Sequence, residues 1–139
     1  MKLELITLTG EKLAEDVYEV TIPTMDGEIS VFPGHETLTS VATDGALYVR
    51  KTKNQRDEDR DVFALSGGVV QISPTLVRIL VDEAEAGDEI AMHEAEEALA
   101  RAKELRENAK DAVSVSEAEA LMNRAAARLK VAGLRKHRH

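Results

Sequence analysis

Residues 75–109 read TLVRILVDEAEAGDEIAMHEAEEALARAKELRENA, and the character of the chain changes inside this stretch. Up to residue 81 the side chains are β-branched or aliphatic, and beyond Gly87 alanine and glutamate recur at helical spacing. The same division holds for the whole chain of 139 residues: 24 of 28 Val, Ile and Thr lie in residues 1–83, while 15 of 19 Ala lie in residues 84–139. β-Branched side chains suit a pleated, half-buried surface, and alanine loses no side-chain entropy in a helix. An α+β chain follows, with a β domain over residues 1–85 and a helical hairpin over residues 86–139.

Working back from residue 81, apolar runs alternate with turn signals. Strands are expected at 3–8, 13–22 with a break, 28–32, 38–43, 46–51, 62–65, 69–73 and 75–81, a spacing that argues for a sandwich or barrel. Asp26-Gly27 and Asp44-Gly45 supply the positive φ that tight hairpin turns demand, and Gly67-Gly68 reads as a bulge between adjacent strands. KTKNQRDEDRD, residues 51–61, reads as an exposed hairpin tip.

Working forward, Asp88 is the expected N-cap of the first helix. Its seam is Ala91, Ala95, Ala98, Ala102, Leu105 and Ala109, with Glu94, Glu97, Arg101 and Glu104 opposite. A second helix is expected from a Ser-x-x-Glu capping box, Ser114 with Glu117 or Ser116 with Glu119. Ala118, Met122, Ala125, Leu129 and Ala132 form its seam, and Gly133 is the expected stop. A linker of about four to six residues makes the pair an antiparallel hairpin. Alanine seams pack closely and hold weakly, since a buried methyl contributes roughly 0.8 kcal/mol against ~1.5 to 3 for leucine. The hairpin is therefore expected to leave the β domain at modest cost.

Charge divides at the same place. The net charge of −8 belongs to residues 1–85, with 16 acids and 8 bases, whereas residues 86–139 carry 10 of each. From Asn123 onward there are six bases, Arg124, Arg128, Lys130, Arg135, Lys136 and Arg138, and no acid. Such an end complements a helix dipole or meets an acidic protein. Nucleic acid is disfavoured by the acidic remainder and the lack of aromatics near the basic end. The absence of cysteine rules out disulfides and thiolate chemistry. No run approaches the ~18 apolar residues that span a bilayer, and no leader peptide is visible. The chain is expected to be soluble and to stay where it is made.

Motifs for catalysis are weak. Leu65-Ser66-Gly67-Gly68 resembles the signature of ATP-binding-cassette transporters, but no GxxxxGK[ST] loop accompanies it and the chain is too short for a nucleotide-binding domain of that class. His93 and Glu97 share a helix face, which is half a metal site, His35 has no second nitrogen ligand at useful spacing, and His137 and His139 lie in a tail expected to be mobile. No metal, cofactor or catalytic set is expected.

The order of features resembles the epsilon subunit of the F-type ATP synthase, whose mitochondrial counterpart is called delta. The carrying residues are Gly27-Glu28-Ile29-Ser30-Val31-Phe32-Pro33-Gly34-His35 and Leu65-Ser66-Gly67-Gly68-Val69-Val70-Gln71-Ile72, followed by 77–85. The resemblance implies a β-sandwich of about ten strands and a two-helix hairpin. It also implies a non-catalytic rotor subunit that couples proton flow to ATP synthesis. Gamma and the membrane rotor ring would be bound through Glu28, Ser30, Pro33, Gly34 and His35. Ser30 stands where the family usually has Gly, and Thr37 where Pro is common. The hairpin would reach the catalytic alpha/beta head and inhibit ATP hydrolysis through Arg124, Arg128 and Lys130. The family's ATP motif is degraded, with Ala91 in place of Asp and Glu94 in place of Arg, which predicts weak or absent ATP binding. The implied location is the cytoplasmic side of a bacterial plasma membrane, held through the complex without insertion. From the residues alone, an unrelated β-sandwich adaptor whose detachable hairpin binds an acidic protein remains the alternative.

Overall fold

The computed structural model describes residues 1–136, and the side chains of residues 1–134. Ten strands come first: β1 Lys2–Thr7, β2 Gly10–Asp16, β3 Glu19–Thr24, β4 Gly27–Val31, β5 Leu38–Ala42, β6 Gly45–Arg50, β7 Asp61–Leu65, β8 Gly68–Ile72, β9 Leu76–Val81 and β10 Ala84–Ala86. Two helices follow, α1 Met92–Asn108 and α2 Ala112–Lys136. The expected break inside 13–22 is real and separates β2 from β3. Strand β10 was not expected, because Ala-Glu-Ala carries no strand signal, and it takes the sheet one residue past the boundary placed at 85.

The strands form one sheet in the order β10-β7-β6-β3-β5-β8-β9-β1-β2, with β4 added to β3. It folds into two layers joined at β3 and β5, which share the single pair Thr24 and Ala42. Alternation points Leu3 and Leu5, Val20 and Ile22, Leu47 and Val49, Val70 and Ile72, and Val77 and Ile79 into the space between the layers, all buried. Period-two alternation of this kind fills a sandwich core. Phe63 is the one aromatic ring in that core cluster among the described residues. At the open ends, Lys12 on β2 meets Glu89 at 2.8 Å, and Lys51 beside β6 lies 3.3 Å from Asp61 and 3.7 Å from Glu15.

Two turn assignments are corrected. Gly27 has φ 106° and closes the β3–β4 hairpin, but Gly45 does not have positive φ. Asp44-Gly45 closes no hairpin, because β5 pairs with β3 and β8 whereas β6 pairs with β3 and β7. Glycine is required at 45 for space, since a Cβ there would stand 2.9 Å from Pro23 Cβ. Gly67-Gly68 likewise is no bulge between β7 and β8, which do not pair. The chain crosses there from one layer to the other, with the Gly67 N–H donating to Asp44 Oδ1 at 2.9 Å. A Cβ on Gly68 would lie 2.0 Å from the Leu80 carbonyl oxygen. Residues 51–61 do join the antiparallel β6 and β7. This tip is ordered by Arg50, which donates to Glu19 Oε1 at 2.7 Å and also to Asp57.

The helix ends also differ from expectation. Residues Gly87–Glu89 form a 3-10 turn, so α1 starts after Ala91 with no side-chain cap and Asp88 is not its N-cap. Asp111 caps α2, accepting the Ser114 N–H at 2.8 Å and its hydroxyl at 3.2 Å. Neither serine serves as the cap, and the linker is three residues, 109–111. Gly133 lies inside α2, which continues to Lys136. The seam is buried at Ala95, Ala102, Ala118, Ala125 and Ala132, but Leu105 is 55% exposed. No helix among the described residues is long and apolar enough to cross a membrane.

The hairpin is docked on the β domain. Ala46 and Ala64 are directly paired on β6 and β7, and their small side chains leave a flat seat that, with Val62, receives Val131 of α2. Val131 is fully buried, and Tyr48 and Ile90 close the sides.

Candidate partner interface

Pro33, Gly34 and His35 stand at one end of the sandwich. Gly34 has φ 87°, and its N–H donates to the Pro74 carbonyl at 2.8 Å, which ties this loop to the β8–β9 connection. The His35 N–H donates to the Phe32 carbonyl at 3.3 Å, and its Nδ1 lies 2.7 Å from the Glu36 carbonyl oxygen. Phe32 packs edge-on to Tyr18 with ring centroids 5.6 Å apart. The result is a rigid, solvent-facing turn.

Glu28 and Ser30 are not part of that end. Both lie on β4, opposite Pro23 and Thr21, on the face turned away from the core. Glu28 is the second residue of the strand, ~17 Å of extended chain from Pro33. Ser30 Oγ is 3.0 Å from Thr21 Oγ1, so a hydroxyl pair occupies the position where glycine would leave Thr21 alone.

A second feature was not singled out from the sequence. Across the outward face of the other layer, Val41 on β5, Val69 on β8, Leu80 on β9 and Ile6 on β1 are in register. The Met25 N–H donates to the Val41 carbonyl at 3.0 Å and places Met25 beside one end of this row, while Leu8 follows β1 at the other. Ile6 is half-buried, while Leu80 is 37%, Val41 48%, Met25 71% and Leu8 81% exposed. The neighbouring row is polar, Thr39, Gln71, Arg78 and Glu4, with Arg78 donating to Glu4 at 2.9 Å. An apolar strip with a polar border is the anatomy of a protein contact. Consecutive apolar pairs, Val69-Val70 and Ile79-Leu80, were the available signal, since one member of each must face outward.

The basic residues of α2 do not share one face. Arg124 and Arg128 line a groove of about 270 Å³ between the hairpin and the sheet, together with Glu83, Glu85 and Arg101. Arg128 Nε is 2.7 Å from Glu85 Oε1, and its terminal nitrogen donates to Oε2 at 3.2 Å. Lys130 is exposed on another side, beside Asp44 and Asn123. The side chains of Arg135 and Lys136 are not described, and His137, Arg138 and His139 lie outside the described residues. Ala91 and Glu94 are exposed at the start of α1 and offer the groove neither the carboxylate nor the cation of the family motif. His93 Nε2 is 3.0 Å from Glu97, and no third ligand joins them among the described residues.

Residues 1–87 match the family model described as ATP synthase, Delta/Epsilon chain, beta-sandwich domain. The ATP synthase epsilon chain of Herpetosiphon aurantiacus is 33% identical over 138 residues, covering 99% of this chain and 98% of that one. The epsilon chain of Chloroflexus aggregans is 35% identical over 134 residues, covering 96% and 93%. Among solved structures, a chain of the Euglena gracilis mitochondrial ATP synthase, OSCP/F1/c-ring, superposes with a TM-score of 0.78 at 26% identity, covering 94% of this chain and 79% of that one. A chain of the Tetrahymena thermophila mitochondrial ATP synthase central stalk and c-ring shares the fold, with a TM-score of 0.61 at 18% identity over 95% of this chain and 96% of that one.

Proposed function

The chain belongs to the delta/epsilon family of the ATP synthase, and from that premise we propose that it joins gamma to the membrane rotor ring and turns with them. Membership removes the unrelated adaptor. It also makes the chain a structural and regulatory subunit of the central stalk, without catalytic chemistry of its own.

The observation that carries the reading is the row Val41, Val69, Leu80 and Ile6, with Met25 and Leu8 beside its ends. Left in water, this strip is a liability; covered by gamma, it becomes an interface core bordered by Thr39, Gln71, Arg78 and Glu4. The loop at Pro33, Gly34 and His35, rigid and polar, suits contact with the polar loops of the ring. Coupling of proton flow to ATP synthesis then requires only that both contacts survive torque. Arg124, Arg128 and Lys130 would meet acidic segments of the alpha/beta head when the hairpin leaves its seat, and so restrain ATP hydrolysis. Exposed ion pairs contribute ~0 to 1 kcal/mol each, so the restraint needs several acting together. Through these partners, without inserting, the chain would sit at the cytoplasmic face of a bacterial membrane. With Ala91 and Glu94 in the motif positions, the hairpin is read as insensitive to ATP.

Purification through a tagged copy tests the partners. Gamma and the ring should come with the full-length chain, and Val69→Glu with Leu80→Glu should lose gamma while Leu121→Glu on the hairpin keeps it. Retention of gamma by the double variant would remove the apolar row from the account.

A further inference from the structure

Lys12 with Glu89, and Arg128 with Glu85, are ion pairs that link the strands to the segment around and after β10. The second joins β10 to α2. Both Glu85 oxygens face the guanidinium, and both side chains are largely withdrawn from water, 31% exposed for Glu85 and 21% for Arg128. The pair combines one charge-assisted hydrogen bond, from the terminal nitrogen, with a close charge contact at Nε, and both hold the guanidinium against the carboxylate.

The surroundings raise its importance. The groove gathers three guanidinium groups, Arg101, Arg124 and Arg128, against two carboxylates, Glu83 and Glu85. Arg124 Nε and Arg128 Nε are both buried without a hydrogen-bond partner, so their charge is met by the nearby carboxylates and not by water. Neutralising Glu85 would leave three cations facing one anion, so like-charge repulsion would add to the lost attraction. The apolar seat is narrow, since on the helix side it consists of Val131 with Ala127 buried nearby, and the ion pair is a second point of attachment beside it. Docking thus depends on Glu85 more than an average surface pair would suggest.

Arg128 is also one of the bases assigned above to the alpha/beta head, and one guanidinium cannot serve both carboxylates. We propose that Glu85 is an internal decoy, a latch that holds the hairpin docked and withholds Arg128 from the acidic partner. The inhibitory state is then set by competition between Glu85 and carboxylates of the head. The regulatory consequence rests on the inhibitory reading in the preceding section, whereas the latch itself does not.

Amide hydrogen exchange on the free full-length chain tests the latch. Glu85→Gln should raise exchange in α2 roughly ten-fold while the strands keep their protection, the scale of losing one partner of a partly buried pair. Wild type in about 0.5 M salt should approach that behaviour. Glu85→Arg combined with Arg128→Glu should restore protection. Unchanged exchange in Glu85→Gln, or an exchanged pair as exposed as the single variant, would overturn the latch. In the assembled synthase, Glu85→Gln should lower ATP hydrolysis several-fold. A released hairpin that leaves hydrolysis unchanged would uphold the latch and remove the inhibitory role of the hairpin.

Discussion

Val131→Ala probes how the hairpin is held. Val131 is fully buried against Ala46, Val62 and Ala64, with Tyr48 and Ile90 at the sides. The substitution removes two buried carbons, about 1.6 kcal/mol of transfer free energy, and the unfilled space between two rigid elements raises the loss to about 2–3 kcal/mol. Ala46 and Ala64 are already the smallest side chains with a Cβ and cannot fill the gap, which leaves only Val62 and Tyr48 to shift toward it. The loss corresponds to roughly a 30- to 150-fold shift toward the undocked hairpin. Hydrogen exchange resolved by segment reads it directly: α2 should lose protection by that factor while β3, β6 and β7 keep theirs. Unchanged α2 protection would refute the seat. Equal loss in the strands would refute the claim that hairpin and sandwich separate as units.

Gly68→Ala should destabilise the sandwich by about 3 kcal/mol or prevent folding, since its Cβ would meet the Leu80 carbonyl at 2.0 Å; denaturant unfolding measures this. Asp111→Ala should fray the first turn of α2 and leave the strands intact, visible as faster exchange near residues 112–116. The Ser114 N–H, then its hydroxyl, hold the Asp111 carboxyl below its ordinary value of 3.8. The cap is therefore fully formed above that value and lost as pH falls through the lowered one, so fraying should begin only in more acid solution. Calorimetry should find no micromolar ATP binding to the chain as it stands, and Ala91→Asp with Glu94→Arg should create or strengthen it.

The two-part architecture was legible because composition reports local preference: β-branched residues before 84, alanine after. Strand pairing was not, and Asp44-Gly45 and Gly67-Gly68 show why. A turn dipeptide says that the chain bends, but whether the next strand pairs with the last or crosses to another layer is decided by distant strands. Strand β10 escaped because it is ordered by β7 and not by its own residues. On α2 the alanine seam was visible, whereas Val131 was not singled out, because burial against the sheet follows from docking. Both serine capping boxes of α2 were passed over because Asp111, three residues before Ser114, reaches the Ser114 N–H and starts the helix earlier. At the interface, the Pro33-Gly34-His35 turn could be read from its backbone chemistry. The Val41, Val69 and Leu80 row could not, since outward exposure depends on which face of the layer the rest of the fold covers.

The central claim is that gamma covers the apolar row. The chain contains no cysteine, so Leu80→Cys places one reactive thiol in the middle of that row. Photo-crosslinking from this position in the assembled, active synthase is predicted to yield a single product with gamma. A product with any other subunit, or none from a complex that retains this chain, would contradict the account.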